Sequence, residues 1–227
     1  MQPDSSPQRV TVANVLDAHP VAARVFSRHK IDFCCRGGVP LSDAASAAKV
    51  TVEALLAEIA REETPSASVD WETRPISELV AHIVERHHRP LDSELPRLLG
   101  LAMKVAKVHG GPLNEAVLER TRALVDDLVP HFQKEEQILF PLILAGDYRR
   151  ALGPIHVMHD EHDLVGAILA ELRVTTEDYT PPSQACASWR ALWQGLDALE
   201  ADLHLHIHLE NNHLFPRVAR EAHARPR

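Results

Sequence analysis

Two segments of the chain share one frame: His131-Phe132-Gln133-Lys134-Glu135-Glu136-Gln137-Ile138-Leu139-Phe140-Pro141 and His206-Ile207-His208-Leu209-Glu210-Asn211-Asn212-His213-Leu214-Phe215-Pro216. Each reads His-x3-Glu-x4-Phe-Pro. On a helix, residues four apart sit one turn above each other, so each segment presents an imidazole and a carboxylate side by side. Imidazole with carboxylate is a donor set suited to iron, manganese or zinc. Two matched pairs in one chain point to a site for two metal ions.

Four long helices are expected to carry these groups, over about 76–107, 113–145, 155–175 and 185–221. Gly110-Gly111-Pro112, Gly146-Asp147 with Gly153-Pro154, and Thr180-Pro181-Pro182 separate them. In the second helix an apolar stripe runs through Val117, Leu124 and Leu128 into His131, Glu135, Ile138 and Leu142. In the fourth, Leu192, Leu196, Leu199 and Leu203 lead into His206 and Glu210. Steps of three and four carry the leucines directly into each His-Glu pair, so both pairs face the core. The third helix has His162 on a stripe with Ile155, Met158, Val165, Leu169 and Leu172. The first has His88 with Val80, Val84, Leu91, Leu95 and Leu98, but a rival stripe through Ile76, Val80, Ile83 and Leu91 takes in His87. An internal repeat is visible, since 131 − 88 = 43 and 206 − 162 = 44, although 131 − 87 = 44 serves equally well. No β-rich alternation appears, and the fold expected is all-α, an antiparallel up-down four-helix bundle.

Burying a carboxylate among leucines costs several kcal/mol, of order 5, unless its charge is compensated. Two buried carboxylates with four imidazoles, and no Lys or Arg on the same stripes, have no organic counter-ion. A pair of metal ions supplies one. Four His and two Glu are too few to saturate two six-coordinate irons, so Glu135 and Glu210 would bridge, with solvent, oxide or a diatomic molecule completing the shells. His204 and His208 lie about 160° round the helix from His206 and are expected to be solvated or to support the site indirectly. The same applies to His156 and His159. Pro90 and Pro130 stand beside the proposed ligands and are expected to kink or widen their helices.

Before the bundle, residues 1–64 read as a small helical domain after a disordered lead over 1–8, and 65–75 as a linker to the bundle at 76–221. Thr51 is expected to cap one of its helices. Within this domain Ile31-Asp32-Phe33-Cys34-Cys35-Arg36-Gly37-Gly38 forms a turn. A disulfide between adjacent cysteines is strained, so Cys34 and Cys35 are expected to be free thiols, able to take iron, nitrosyl or an oxidised partner if exposed. The alternative is that one packs and the other is incidental. Only three cysteines occur, a poor disulfide framework that suits a reducing compartment. A net charge of −8 argues against nucleic acid or an anionic membrane as partner. No apolar run approaches the roughly 20 residues of a membrane span, and a cytoplasmic location is expected.

These motifs resemble one family along nearly the whole chain. Ile31-Asp32-Phe33-Cys34-Cys35, Lys134 to Pro141, Gly153-Pro154-Ile155, Glu161-His162-Asp163, Pro181-Pro182 with Ala185-Cys186, and Leu209-Glu210-Asn211-Asn212 are similar to the repair-of-iron-centres proteins, which carry a hemerythrin-like domain. The resemblance implies two iron ions in an oxo- and carboxylate-bridged non-haem centre. Its ligands would be His88, His131, Glu135, His162, His206 and Glu210, which decides the first helix for His88. It also implies repair of iron–sulfur clusters damaged by nitric oxide or peroxide, by iron donation, with Cys34 and Cys35 as accessory thiols. The partners implied are damaged iron–sulfur proteins and small diatomic ligands, nitric oxide or dioxygen, with a homodimer open as the assembly. Two other functions share the same site: a hemerythrin-like carrier or sensor of dioxygen or nitric oxide, and a di-iron nitric oxide reductase.

Overall fold

A computed structural model of the chain describes residues 10–62 and 69–224. The lead expected over 1–8 and the first four residues of the expected linker, 65–68, lie outside them. The chain divides into two compact units, Met1–Thr73 and Arg74–Arg227. Among the described residues both are helical, with no strand beyond an isolated bridge between Thr11 and Pro40.

In the first unit, α1 (Val12–Ala18) opens on a capping box. The Thr11 hydroxyl accepts the Asn14 amide at 3.2 Å, and Asn14 Oδ1 accepts the Thr11 amide at 3.1 Å. Pro20 separates α1 from α2 (Ala22–Arg28), and α3 (Leu41–Ala47) follows the cysteine turn. The Ala54 amide reaches Thr51 Oγ1 at 3.1 Å at the start of α4 (Val52–Glu62), as expected. Helices α2 and α3 both pack on α4, burying Val25, Phe26, Leu55 and Ile59.

The second unit is the four-helix bundle. Its first helix comprises α5 (Ile76–Ile83), a π-turn (Val84–His88) and α6 (Arg89–His109). The second comprises α7 (Gly111–Lys134), a π-turn (Glu135–Leu139) and α8 (Phe140–Leu144). The third is α9 (Tyr148–Thr175), and the fourth is α10 (Ala187–Leu209), a π-turn (Glu210–Leu214) and α11 (Phe215–Ala224). Helix α6 packs on α7, α7 on α9, α9 on α11, and α10 back on α6, which closes the bundle.

Three departures from the sequence reading have physical causes. First, the widening expected at Pro130 is not there. Helix α7 continues through it as α-helix. Pro130 and Asp126, whose carbonyl loses its donor, lie on the exposed face where water can serve that carbonyl. Widening occurs instead before Pro90, as expected, and before Pro141 and Pro216, each two residues beyond the end of a π-turn. A proline has no amide hydrogen and its ring collides with the carbonyl four residues back. Those carbonyls belong to Arg86, Gln137 and Asn212, the middle residue of each π-turn.

Second, the extra residue in the π-turn at 135–139 moves the apolar stripe of the second helix by one position. Ile138, expected inside, is 52% exposed, and Leu139 and Ile143 take the buried places assigned to Ile138 and Leu142. Third, the third helix begins at Tyr148, with Gly153 and Pro154 inside it. The left-handed turn that reverses the chain is made earlier, by Gly146 at φ 73°.

The first and fourth bundle helices pack tightly at Gly195. A Cβ placed there would stand 2.5 Å from Leu98 Cδ2 and 2.8 Å from Arg97 Nη2. Gly195→Val is therefore expected to lower the unfolding free energy by about 1–3 kcal/mol, measured by chemical denaturation. An unchanged midpoint would mean that these helices separate at little cost.

Candidate metal centre

The six residues expected as ligands converge inside the bundle. His88, His131, Glu135, His162, His206 and Glu210 are all buried, the two glutamates completely. Their side-chain donors form two groups. Atoms of His131, Glu135, His162 and Glu210 lie within 4.8 Å of one another, and so do atoms of His88, Glu135 and His206. Glu135 belongs to both.

The approaches are close but not hydrogen-bonded. His88 Nε2 stands 3.3 Å from Glu135 Oε2, and His131 Nε2 stands 3.4 Å from Glu135 Oε1. His162 Nε2 and His206 Nε2 stand 3.1 and 3.5 Å from Glu210 Oε2. None of the four carboxylate oxygens has an aligned hydrogen-bond donor. Apart from His88 Nε2 and His206 Nε2, which meet at 3.3 Å, the imidazole nitrogens and carboxylate oxygens converge on shared space without aligned hydrogen bonds. Buried carboxylates without donors are costly in a protein interior, and cations in that space relieve the cost. The donor set fits metal.

Without a cation, the charges lean on one another. Burial disfavours the charged form of His131, but the charge of Glu135, assisted by Glu210, more than compensates and holds its pKa up to about 9. Burial and the neighbouring Glu210 would raise Glu135, yet His131 and His88 bring it below the usual carboxylate range. Glu210 is opposed by burial and brought down by His162. Burial pushes His206 well below the usual imidazole value.

Outside the donors lies a ring of partners that helix periodicity did not reveal. The Nδ1 atoms of His88 and His131 bond to Glu136 Oε1 at 3.0 Å and Glu161 Oε2 at 2.8 Å. That of His162 bonds to Asn211 Oδ1 at 3.0 Å. Arg89 holds Glu136 in turn at 2.8 Å, and Lys134 pairs with Glu161. These contacts fix the rings with Nε2 turned inward. His87, the rival on the first helix, is also buried but belongs to neither donor group. It bonds to Asp202 Oδ1 at 3.0 Å and stacks on the His206 ring at 5.6 Å.

The neighbouring histidines divide. His156 and His159 are exposed, as expected, although His159 meets the Phe215 ring edge-on at 5.3 Å. Of the two roles expected for His208, solvated or supporting the site indirectly, burial excludes the first: it is edge-on to His213 at 5.2 Å, and its Nδ1 lies 3.2 Å from Asn212 Nδ2.

Two domain families match the chain. The hemerythrin HHE cation binding domain covers residues 79–218, and ScdA_N, a domain of unknown function, covers residues 8–63. The iron-sulfur cluster repair protein YtfE of Yersinia pseudotuberculosis serotype IB (strain PB1/+) is 41% identical over 206 residues, 89% of this chain and 93% of that protein. Its counterpart in Yersinia pestis (strain Pestoides F) shows the same identity and coverage. The chain belongs to the family of iron–sulfur cluster repair proteins with a hemerythrin-like domain. Within that hemerythrin-like domain fall all six converging residues.

The thiols of this family member are unalike. Cys34 is buried and Cys35 half-buried, with sulfurs 3.7 Å apart and no disulfide. Asp32 organises the turn, accepting the amides of Cys34, Cys35 and Arg36 at 3.1, 2.9 and 3.3 Å. The Cys35 sulfur and then burial push the Cys34 thiol far up. Of the two expectations for the pair, exposed thiols or one packed, the burial of Cys34 agrees with the second. Cys186, expected to pack, is instead exposed, at the N-cap of α10 with His109 Nε2 3.2 Å from its sulfur. His109, helped by backbone amides of the opening turn, draws its pKa down to about 7. Thiolate is the reactive form, so alkylation of Cys186 should rise through about pH 7 rather than near the ordinary thiol value of about 8.5. His109→Ala should move that rise upward. A rate profile unchanged by the substitution would deny the pairing.

Proposed function

We propose that this protein supplies iron to iron–sulfur clusters damaged by nitrosative or oxidative stress in the cytoplasm. The source would be a non-haem di-iron centre held by His88, His131, Glu135, His162, His206 and Glu210. The observation that carries the reading is the pair of buried donor groups joined through Glu135, whose oxygens, with those of Glu210, have no donor of their own. The relatives are named iron-sulfur cluster repair proteins and match 89% of the chain, including the part that precedes the bundle.

When bound, two iron ions would neutralise the carboxylates and constitute the exchangeable store. The protein supplies the rest. Glu135 and Glu210 would bridge, and Glu136, Glu161 and Asn211 hold three imidazoles in place. Phe132 and Phe140 stack on His88 at 4.5 and 5.9 Å, and Phe215 stacks on His162 at 6.0 Å. These rings keep water from the donors on their side. Cys35, the more accessible of its pair, would be the thiol that assists transfer, with Cys34 supporting the turn. Damaged iron–sulfur proteins are the partners this reading requires, and nitric oxide or dioxygen are the small ligands the centre would meet.

Three measurements test the reading. Metal analysis should find about two irons per wild-type chain and about one or fewer in Glu135→Leu or Glu210→Leu, because each glutamate would serve both ions. Full retention would remove the bridging role. His208→Ala should keep its iron, and a large loss there would put the site on the wrong face of the fourth helix. Iron-loaded protein mixed with an inactivated cluster enzyme should restore activity faster than an equal amount of free ferrous iron. Equal rates would end the repair proposal.

A further inference from the structure

We infer that the two metal positions are unequal, and that the one between His88 and His206 is the labile position from which iron leaves first. This rests on the di-iron reading above and adds an order of release to it.

The asymmetry is in how each ring is held. On one side, His131 is anchored at Nδ1 by Glu161 at 2.8 Å, and His162 by Asn211 at 3.0 Å. These two rings share their donor group with both glutamates, giving four donors in mutual reach. On the other side three donors come together, His88, Glu135 and His206. His88 is anchored there by Glu136 at 3.0 Å. His206 is not: its Nδ1 is buried without a hydrogen-bond partner. The carboxylate one turn back on the same helix, Asp202, is engaged by His87 at 3.0 Å. On its Nδ1 side the His206 ring has only ring contacts, stacked on His87 at 5.6 Å with 14° between planes and tilted against Phe132 at 5.7 Å, while its Nε2 meets His88 Nε2 at 3.3 Å on the metal side.

Stacking limits tilt but neither fixes the tautomer nor strengthens the imidazole as a donor, both of which a hydrogen bond at Nδ1 does. Losing such a partner costs a metal site about 10–100-fold in affinity. With both glutamates shared, the position whose ring is unanchored is therefore the weaker by that order. A store built this way gives up one ion while Glu135 and Glu210 remain pinned by the other.

The test is iron release from the full-length protein loaded with ferrous iron, challenged with excess ferrozine and followed by absorbance. Two phases of equal amplitude are expected, separated by about 10–100-fold in rate. Glu136→Leu removes the anchor of His88 and should speed only the fast phase. Asn211→Leu removes the anchor of His162 and should speed only the slow phase, drawing the two together. Mössbauer spectra taken between the phases should show a single iron environment. One phase carrying both irons in the wild type would overturn the inference, as would Asn211→Leu acting on the fast phase alone. Failure of the wild type to hold two irons would instead overturn the di-iron reading itself.

Discussion

Two carboxylates inside a bundle of leucines set the terms for everything around them. Glu135 and Glu210 are fully buried, and among the described residues none donates an aligned hydrogen bond to their carboxylates. Such a site opposes folding on its own, because desolvating a carboxylate is not repaid by nearby imidazoles that are not aligned with it. The bundle must therefore obtain its stability elsewhere, from the long leucine stripes above and below, and leave this layer for cations. Stability and function are separated along the helix axes.

The separation is maintained by geometry at the helix level. Three of the four bundle helices carry a π-turn at the metal layer, and five of the six donors lie on those turns or within a turn of them, His162 on the uninterrupted α9 being the exception. His88 ends the first π-turn, and Glu135 and Glu210 begin the other two. Such turns are uncommon and concentrate at functional sites. Here the prolines that follow them give a local cause, so the distortion is written into the chain rather than forced by the ligand.

The legible part of this molecule was the part that repeats. His131 with Glu135 and His206 with Glu210 sit in stripes of leucine whose period of three and four is visible by eye, and His162 continues such a stripe. All of them converge. His88 could not be told from His87 by periodicity, because both are in fact buried on the same helix and only their partners differ. Glu136 and Glu161 were opaque for a related reason: each bonds a histidine on another helix, and no spacing along one helix announces that. Ile138 was misplaced because a stripe read at α-helical pitch takes no account of one added residue. The prolines that mark such additions, Pro141 and Pro216, close the motif at its far end, whereas Pro130, beside His131, faces outward without effect.

The π-turns also work as phase shifters. An α-helix advances about 100° per residue, so one residue more in a turn rotates everything beyond it by that angle without changing the direction of the rod. In the second helix the shift turns Ile138 out and brings Leu139, Phe140 and Ile143 into the core. Phe140 then lies over the His88 ring. Segment length is thus a structural variable in its own right here. A chain shorter by one residue in this turn could keep every ligand and still lose the aromatic roof above them, because the frame rather than the composition decides which face of the helix closes the site.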